Sequence, residues 1–455
     1  MDSVVPDKKR KSNEIDMLNG SLPKGILLFS LPLAASSILQ QLFNSADVAV
    51  VGRFAGKMAL AAVGSNATVT ALFVNVFVGL SVGVNVTIAK LIGQQKKSKV
   101  PDAVHTAMTF ALLCGIILLI VGQIIARPLL VAIDTPKNVL NQAVVYLRIY
   151  FIGMPFIIIY NFGSAVLRSV GDTKRPLYCL TVSGVVNVIL NLLFVIEFKM
   201  GVAGVALATT IANLISATMV VIILSKEDSI INFDIKKTGI KGSSLASILV
   251  VGAPSALQVA VFSLSNVLIQ TGINSFGEDG VGGSSTALNF EYFTFFVISA
   301  FSQAAVTFTS QNFGAGKYDR CRKVCRICML EGMLLTIMMS TTFIMFGDFF
   351  VRLYTLDEAV IAYALIRMTH VMAIEFMTGS YEISGASLRG LGHSLLPALL
   401  TVLGSVVFRI IWLYTVFAKH HSFGMLMTVY PVSWVLTGTM VLTAYFIISR
   451  KVYAN

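Results

Sequence analysis

Twelve stretches of this chain are each long and apolar enough to cross a lipid bilayer. They run near 26–51, 59–89, 104–126, 139–162, 177–196, 201–224, 245–275, 281–312, 324–346, 360–386, 395–417 and 424–449. A helix needs about 20 apolar residues to span the hydrocarbon core. Lipid offers the backbone no hydrogen bonds, so such runs must satisfy their own as helices. The expected fold is therefore an all-α membrane protein with twelve transmembrane helices. Composition agrees: of 455 residues, 56% are hydrophobic and 12% charged, against about 25% charged in soluble domains. The net charge of +12 does not point to nucleic acid, because the basic residues sit in short loops between apolar runs, where they set topology.

Those loops orient the chain. Alternate connections carry Lys96, Lys97, Lys99, Lys174, Arg175, Lys236, Lys237, Lys241, Lys317, Arg320, Arg322 and Lys323. The others carry only Arg53, Lys57, Arg127, Lys137, Lys199, Arg352 and Lys419. Basic loops stay in the cytoplasm, so both termini are expected there and the protein in the cell membrane. Residues 1–25 are polar, with "KKRK" at Lys8–Lys11, and read as a cytoplasmic tail rather than a cleavable signal. Residues 450–455 form the other tail.

The chain repeats itself. "GSAVLRSVGDTKRP" (163–176) answers "SGASLRGLGHSLLP" (384–397), and "IGQQK" (92–96) answers "FGAGK" (313–317), both at the same offset along the chain. Pro32 and Pro254 match at an offset one position greater. The polar segment 225–244 lies between the copies, separating an N-lobe (26–224) from a C-lobe (245–449). Six helices is an even number, so both lobes enter from one side and a pseudo-twofold axis should run along the membrane normal. A cavity between two such lobes suits alternating access better than a simple pore.

With "LP" opening the first helix and "GAP" the seventh, the motifs "ADVAVVG", "LRSVGDTKRP", "VVNVILNLLF", "GVAGVALATTIA" and "SQNFGAGK" make the chain resemble the MATE (multidrug and toxic compound extrusion) transporters over nearly its whole length. The resemblance implies a V-shaped pair of lobes acting as a monomer. It implies export of bulky, often cationic organic compounds in exchange for H+ or Na+, with no other cofactor. Asp47 matches the coupling aspartate of the first helix. Asn187, Asn191 and Thr209 match the polar groups around it, with Thr210 the fallback, and Tyr146 and Asn161 match substrate-side positions. The same superfamily includes lipid-linked oligosaccharide flippases, which stand as the alternative reading.

The residues argue in the same direction without the family. A charged carboxylate at bilayer depth costs about 2.5–3.5 kcal/mol on insertion scales, so Asp47 must earn its place. Burial favours the neutral acid, and the oxygens of Asp47, Asn187, Asn191 and Thr209 could equally cage a hard cation. Gln40 lies two turns away on the same face. Against this stand structural roles: Asp47 as a brace between helices, and Asn187 and Asn191 as amide glue.

Many members of the family carry a carboxylate pair in the seventh and tenth helices; here the matching positions are Phe262 and Thr378. The C-lobe ionisable residues are instead Glu291, His370, Glu375, Glu382 and Arg409. Glu291 and Glu382 have aromatic neighbours that suit an organic cation, and Arg409 could pair with either acid; the structural alternative is one buried salt bridge that holds the C-lobe together. Glu291, Glu382 and Arg409 join Gln40, Tyr146 and Asn161 as candidate substrate contacts. Cys321, Cys325 and Cys328 lie at helical spacing without a fourth ligand, so no metal is expected. Enzyme signatures such as H-E-x-x-H and G-x-S-x-G are absent, as is a nucleotide-binding loop. Neither the substrate nor the coupling ion follows from these residues.

Overall fold

A computed structural model describes residues 14–454; the Lys8–Lys11 cluster lies outside them. Among the described residues twelve membrane-length helices follow one another: α1 Leu22–Ala55, α2 Lys57–Gly93, α3 Lys97–Ala132, α4 Lys137–Ser169, α5 Lys174–Glu197, α6 Gly201–Ser225, α7 Gly242–Asn274, α8 Gly277–Gly314, α9 Tyr318–Met345, α10 Glu358–Gly390, α11 Leu395–Phe417 and α12 Phe423–Tyr453. Each contains one of the twelve apolar runs, or nearly all of it. Most run past it at the ends, because a helix continues into the headgroup region after its apolar stretch stops.

The two halves repeat one packing plan. α3 lies against α4, α4 against α6, α2 against α4, and α5 against both α1 and α6. In the second half the same pairs recur between α9 and α10, α10 and α12, α8 and α10, and α11 with α7 and α12. This is a pseudo-twofold pair of six-helix lobes. The segment between them is not a loose tether. The Asp234 amide donates to His105 Nε2 at 3.1 Å, the Gly239 amide to Thr109 Oγ1 at 3.1 Å, and the Lys241 amide to Thr106 Oγ1 at 3.0 Å. It is thus strapped along α3, with Ile231 fully buried.

The lobes meet at the end that carries the basic loops. There the start of α1, the C-terminal half of α2, the start of α7 and the C-terminal half of α8 share one apolar core containing Ile26, Phe29, Val82, Val86, Val251, Ala304 and Phe308. Backbones come into near contact. A Cβ added to Gly79 would stand 2.8 Å from Ala256 Cα, and one added to Gly252 would stand 2.6 Å from Leu80 O. Small residues at such crossings are the usual means of close packing in lipid. Polar groups close the seam. Thr307 Oγ1 donates to Asn85 Oδ1 at 3.1 Å and Gln311 Nε2 to Ser169 O at 2.6 Å. Arg320 Nη2 reaches the carbonyls of Met17 (3.1 Å) and Gly20 (2.8 Å). Among the described residues, every hydrogen bond between the lobes lies at this end, and the halves of α1 and α7 beyond the seam are free to line a cleft.

Candidate functional site

Asp47 sits on α1 where this helix crosses α5 and α6. The crossing is set by Gly184, whose missing Cβ makes room for the Phe43 ring. α1 and α5 run in the same direction, so one turn beyond Phe43 brings Asp47 level with the residues following Gly184. Asn191 Nδ2 donates to Asp47 Oδ1. Thr209 Oγ1, from α6, lies 3.4 Å from Asp47 Oδ2. Asn187 Nδ2 donates to Thr209 Oγ1 at 3.3 Å, and Asn191 Nδ2 lies 3.3 Å from Asn187 Oδ1. Three helices thus bring one carboxylate, two amides and a hydroxyl into a single cluster. Asn187 and Asn191 are buried, while Asp47 and Thr209 are half-buried.

The cluster is rich in oxygen. Asn191 Oδ1 is buried without a donor among the described residues, an unusual state for a buried acceptor. Together with Asp47, Asn187 and Thr209 it offers hard oxygen ligands of the kind that hold Na+, or a carboxylate and neighbours that hold a proton. The choice between Thr209 and Thr210 follows from their contacts: Thr210 Oγ1 donates to Ile149 O at 3.2 Å and serves the α4–α6 contact.

The remaining N-lobe candidates are spread out. Tyr146 is buried and stacks on Tyr150, with centroids 6.1 Å apart. Tyr150 was not singled out from the sequence, although its spacing from Tyr146 on a helix was the available signal. Gln40 is exposed on α1. Asn161 is not brought to the cluster; its Nδ2 donates to Ile157 O, one turn back on its own helix, at 2.8 Å.

Among the described residues of the C-lobe, neither Glu291 nor Glu382 pairs with Arg409; the buried salt bridge is made by a different arginine. Glu291 is bound by Arg367, with Nε to Oε1 at 2.6 Å and Nη2 to Oε2 at 2.8 Å, and Arg367 Nη1 donates to Ser284 Oγ at 2.7 Å. The aromatic surroundings of Glu291 therefore already hold a cation: Arg367 lies over the Tyr430 ring at 5.3 Å. The sequence reading passed over Arg367, whose place inside an apolar run was its signal. Glu375 is buried and accepts from Thr294 Oγ1 at 2.5 Å. Glu382 is half-buried on α10 and makes no ion pair among the described residues. Arg409 is 1% exposed. It donates through Nε to Ser433 Oγ (3.2 Å) and through Nη1 to Asn266 Oδ1 (3.3 Å), and lies over the rings of Phe262 (5.1 Å) and Tyr430 (4.7 Å). The cysteines Cys321, Cys325 and Cys328 are buried at the foot of α9. Among the described residues, no group of three His, Cys, Asp or Glu side chains is placed to hold a metal ion.

Comparison with known proteins supplies the family. The MatE family profile matches the chain twice, over residues 32–193 and 254–415. The chain belongs to the MATE family of membrane transporters. The two MatE matches fall one in each lobe, and their starts and their ends are displaced by one and the same offset, that of Pro32 and Pro254. Similar proteins include the probable multidrug resistance protein YoeA of Bacillus subtilis (strain 168), 26% identical over 393 residues and 84% of each chain. The multidrug export protein MepA of Staphylococcus aureus (strain NCTC 8325 / PS 47) is 20% identical over 86% of each chain. A FAD transporter of Shewanella oneidensis is 25% identical over 68% of this chain and 69% of that one. Among solved structures, an outward-facing MATE transporter of the MOP superfamily superposes with a TM-score of 0.91 at 19% identity, covering 98% of this chain and 100% of the other. That likeness shows the fold of this MATE protein; membership of the family makes it a multi-pass membrane transporter rather than an enzyme.

Proposed function

We propose that this MATE protein is a secondary active multidrug exporter of the cell membrane. It works as a monomer, both termini in the cytoplasm, and expels bulky, often cationic organic compounds in exchange for H+ or Na+. The observation that carries this reading is the Asp47 cluster, in which one acid in the bilayer is met by Asn187, Asn191 and Thr209 from two other helices. The relatives named for multidrug resistance and export support the substrate class. The basic loops at the sealed end support cytoplasmic termini, which puts the unsealed ends of the lobes toward the outside.

Asp47 can couple the two fluxes because its charge changes between states. With a proton or Na+ bound the cluster is neutral and the lobe can close. Without it the carboxylate needs water or a cationic substrate, which favours an open cleft. An ion shifts this balance only by binding the two states unequally. The test is dye efflux from proteoliposomes under imposed H+ or Na+ gradients. The Asp47→Asn protein is expected to insert and fold, with slightly higher thermal stability, and to lose gradient-driven efflux. Normal gradient-dependent efflux from that variant would return Asp47 to the role of a brace.

A further inference from the structure

At the offset shared by the two MatE matches, Asp47 falls on Ile269, Asn191 on Leu413 and Asn187 on Arg409; at the offset of the 163–176 and 384–397 motifs, one position less, they fall on Leu268, Trp412 and Phe408. At either offset the acid of the N-lobe cluster has no acidic counterpart in the C-lobe, where the cation Arg409 stands at or next to the position of Asn187. Both charged groups lie two turns before the end of their helices, Asp47 before Ala55 and Arg409 before Phe417. The C-lobe thus carries a cation, where the N-lobe carries an acid, two turns from the end of a helix.

Arg409 lacks the partner a buried guanidinium normally has. A buried charge is expensive unless paired. Arg367 meets this cost with Glu291. Arg409, 1% exposed, has no acidic partner among the described residues. It is held by two neutral acceptors and two aromatic rings, and shares the Tyr430 ring with Arg367, a second cation. One of the acceptors is Asn266, which is exposed. Asn266 lies about three turns beyond Ser255 on one face of α7, and the Ser255 carbonyl is 3.0 Å from a Cβ placed on Gly79 of α2. The α7 face that packs on the N-lobe at the seam therefore continues into the cleft at Asn266. Its Oδ1 stands between the cleft and Arg409 at 3.3 Å, a long contact that a stronger acceptor can displace.

We propose that Arg409, behind Asn266, is an oxyanion-recognition site in the wall of the cleft, and that it binds a carboxylate or phosphate group of the exported compound. The proposal deepens the efflux reading and rests on it. Substrates would then be dipolar, with their cationic part toward Asp47 and their anionic part toward Arg409.

The test compares rhodamine B, which has a free carboxylate, with its ethyl ester, which lacks that anion, using ethidium as a plain cation. Binding is measured by fluorescence polarisation to the full-length protein in phosphatidylcholine nanodiscs, and export is followed in proteoliposomes. The wild-type chain should bind the acid more tightly than the ester. Arg409→Gln should weaken the acid by at least about tenfold and leave the ester within about twofold. Because Arg409→Gln could disturb a buried position, Asn266→Asp provides a second arm. It supplies the missing counter-ion, so it should raise thermal stability and still abolish the preference for the acid. Ethidium exported normally, with acid and ester bound alike by wild type or weakened alike by the variants, would remove the anion site and leave multidrug export standing. If none of the three dyes binds the wild-type chain, both readings fall.

Discussion

Arg367 and Arg409 lie over the same tyrosine, Tyr430, but only Arg367 has a carboxylate. Their energetics should differ accordingly. Removing one partner of a buried pair leaves an uncompensated charge and costs about 3–5 kcal/mol, whereas replacing both with apolar groups of similar size is often neutral. Arg367→Met alone is therefore expected to lower the thermal midpoint sharply, and Glu291→Leu with Arg367→Met to recover most of the loss. Thermal unfolding of the purified variants measures this. Because Glu291 is already neutralised by Arg367, Glu291→Gln should change stability more than ion dependence in the efflux assay. A loss of gradient dependence with unchanged stability would assign the pair to coupling instead.

At the scale of helices, the Asp47 cluster depends on how closely α1 approaches α5. Gly184 is the point of contact, and any side chain there meets the Phe43 ring. Both helices end in a widened π turn just beyond the cluster, at Val51–Ala55 and Leu193–Glu197; such turns recur at functional sites. Overpacking a tight contact costs about 1–3 kcal/mol. Gly184→Leu should push α1 away, separate Asp47 from Asn191, and reduce gradient-driven efflux while the protein still reaches the membrane. Phe43→Ala added to Gly184→Leu should restore part of the activity. Efflux rates normalised to expression check both; full activity from Gly184→Leu would show that the α1–α5 distance is not what positions the acid.

The molecule as a whole is sealed at one end, and transport by alternating access requires that seal to break. Asn85 and Thr307 touch across it at 3.1 Å, near the glycine-rich crossing of α2 with α7 and α8. In a chain whose five native cysteines are replaced, Asn85→Cys with Thr307→Cys should be joined by a short bifunctional thiol reagent. The joined protein should bind dye from the open side and fail to export it, and a reducible linker should give reversal on cleavage. Continued export by fully cross-linked protein would mean that the lobes do not separate at this seam.

What the sequence alone determined follows from costs that are local or repeat along the chain. Twelve runs need lipid, loops with lysine and arginine stay on one side, and recurrence of motifs at a nearly constant offset makes two lobes. An acid in an apolar run needs a reason, so Asp47 was visible, and its neighbours Asn187, Asn191 and Thr209 were legible through the motifs that contain them. Pairing was not legible, because it depends on groups far apart in the chain converging in three dimensions. Glu291 lies 76 residues from Arg367, and nothing in the spacing distinguishes that arginine from Arg409. Nor could the sequence show that Thr210 turns to Ile149, that Asn161 turns to its own helix, or that the lobes touch at the basic end. Those outcomes were decided by tertiary packing: side-chain direction on a helix is fixed only when a neighbouring helix arrives, and a buried charge takes whichever partner that arrival brings within reach.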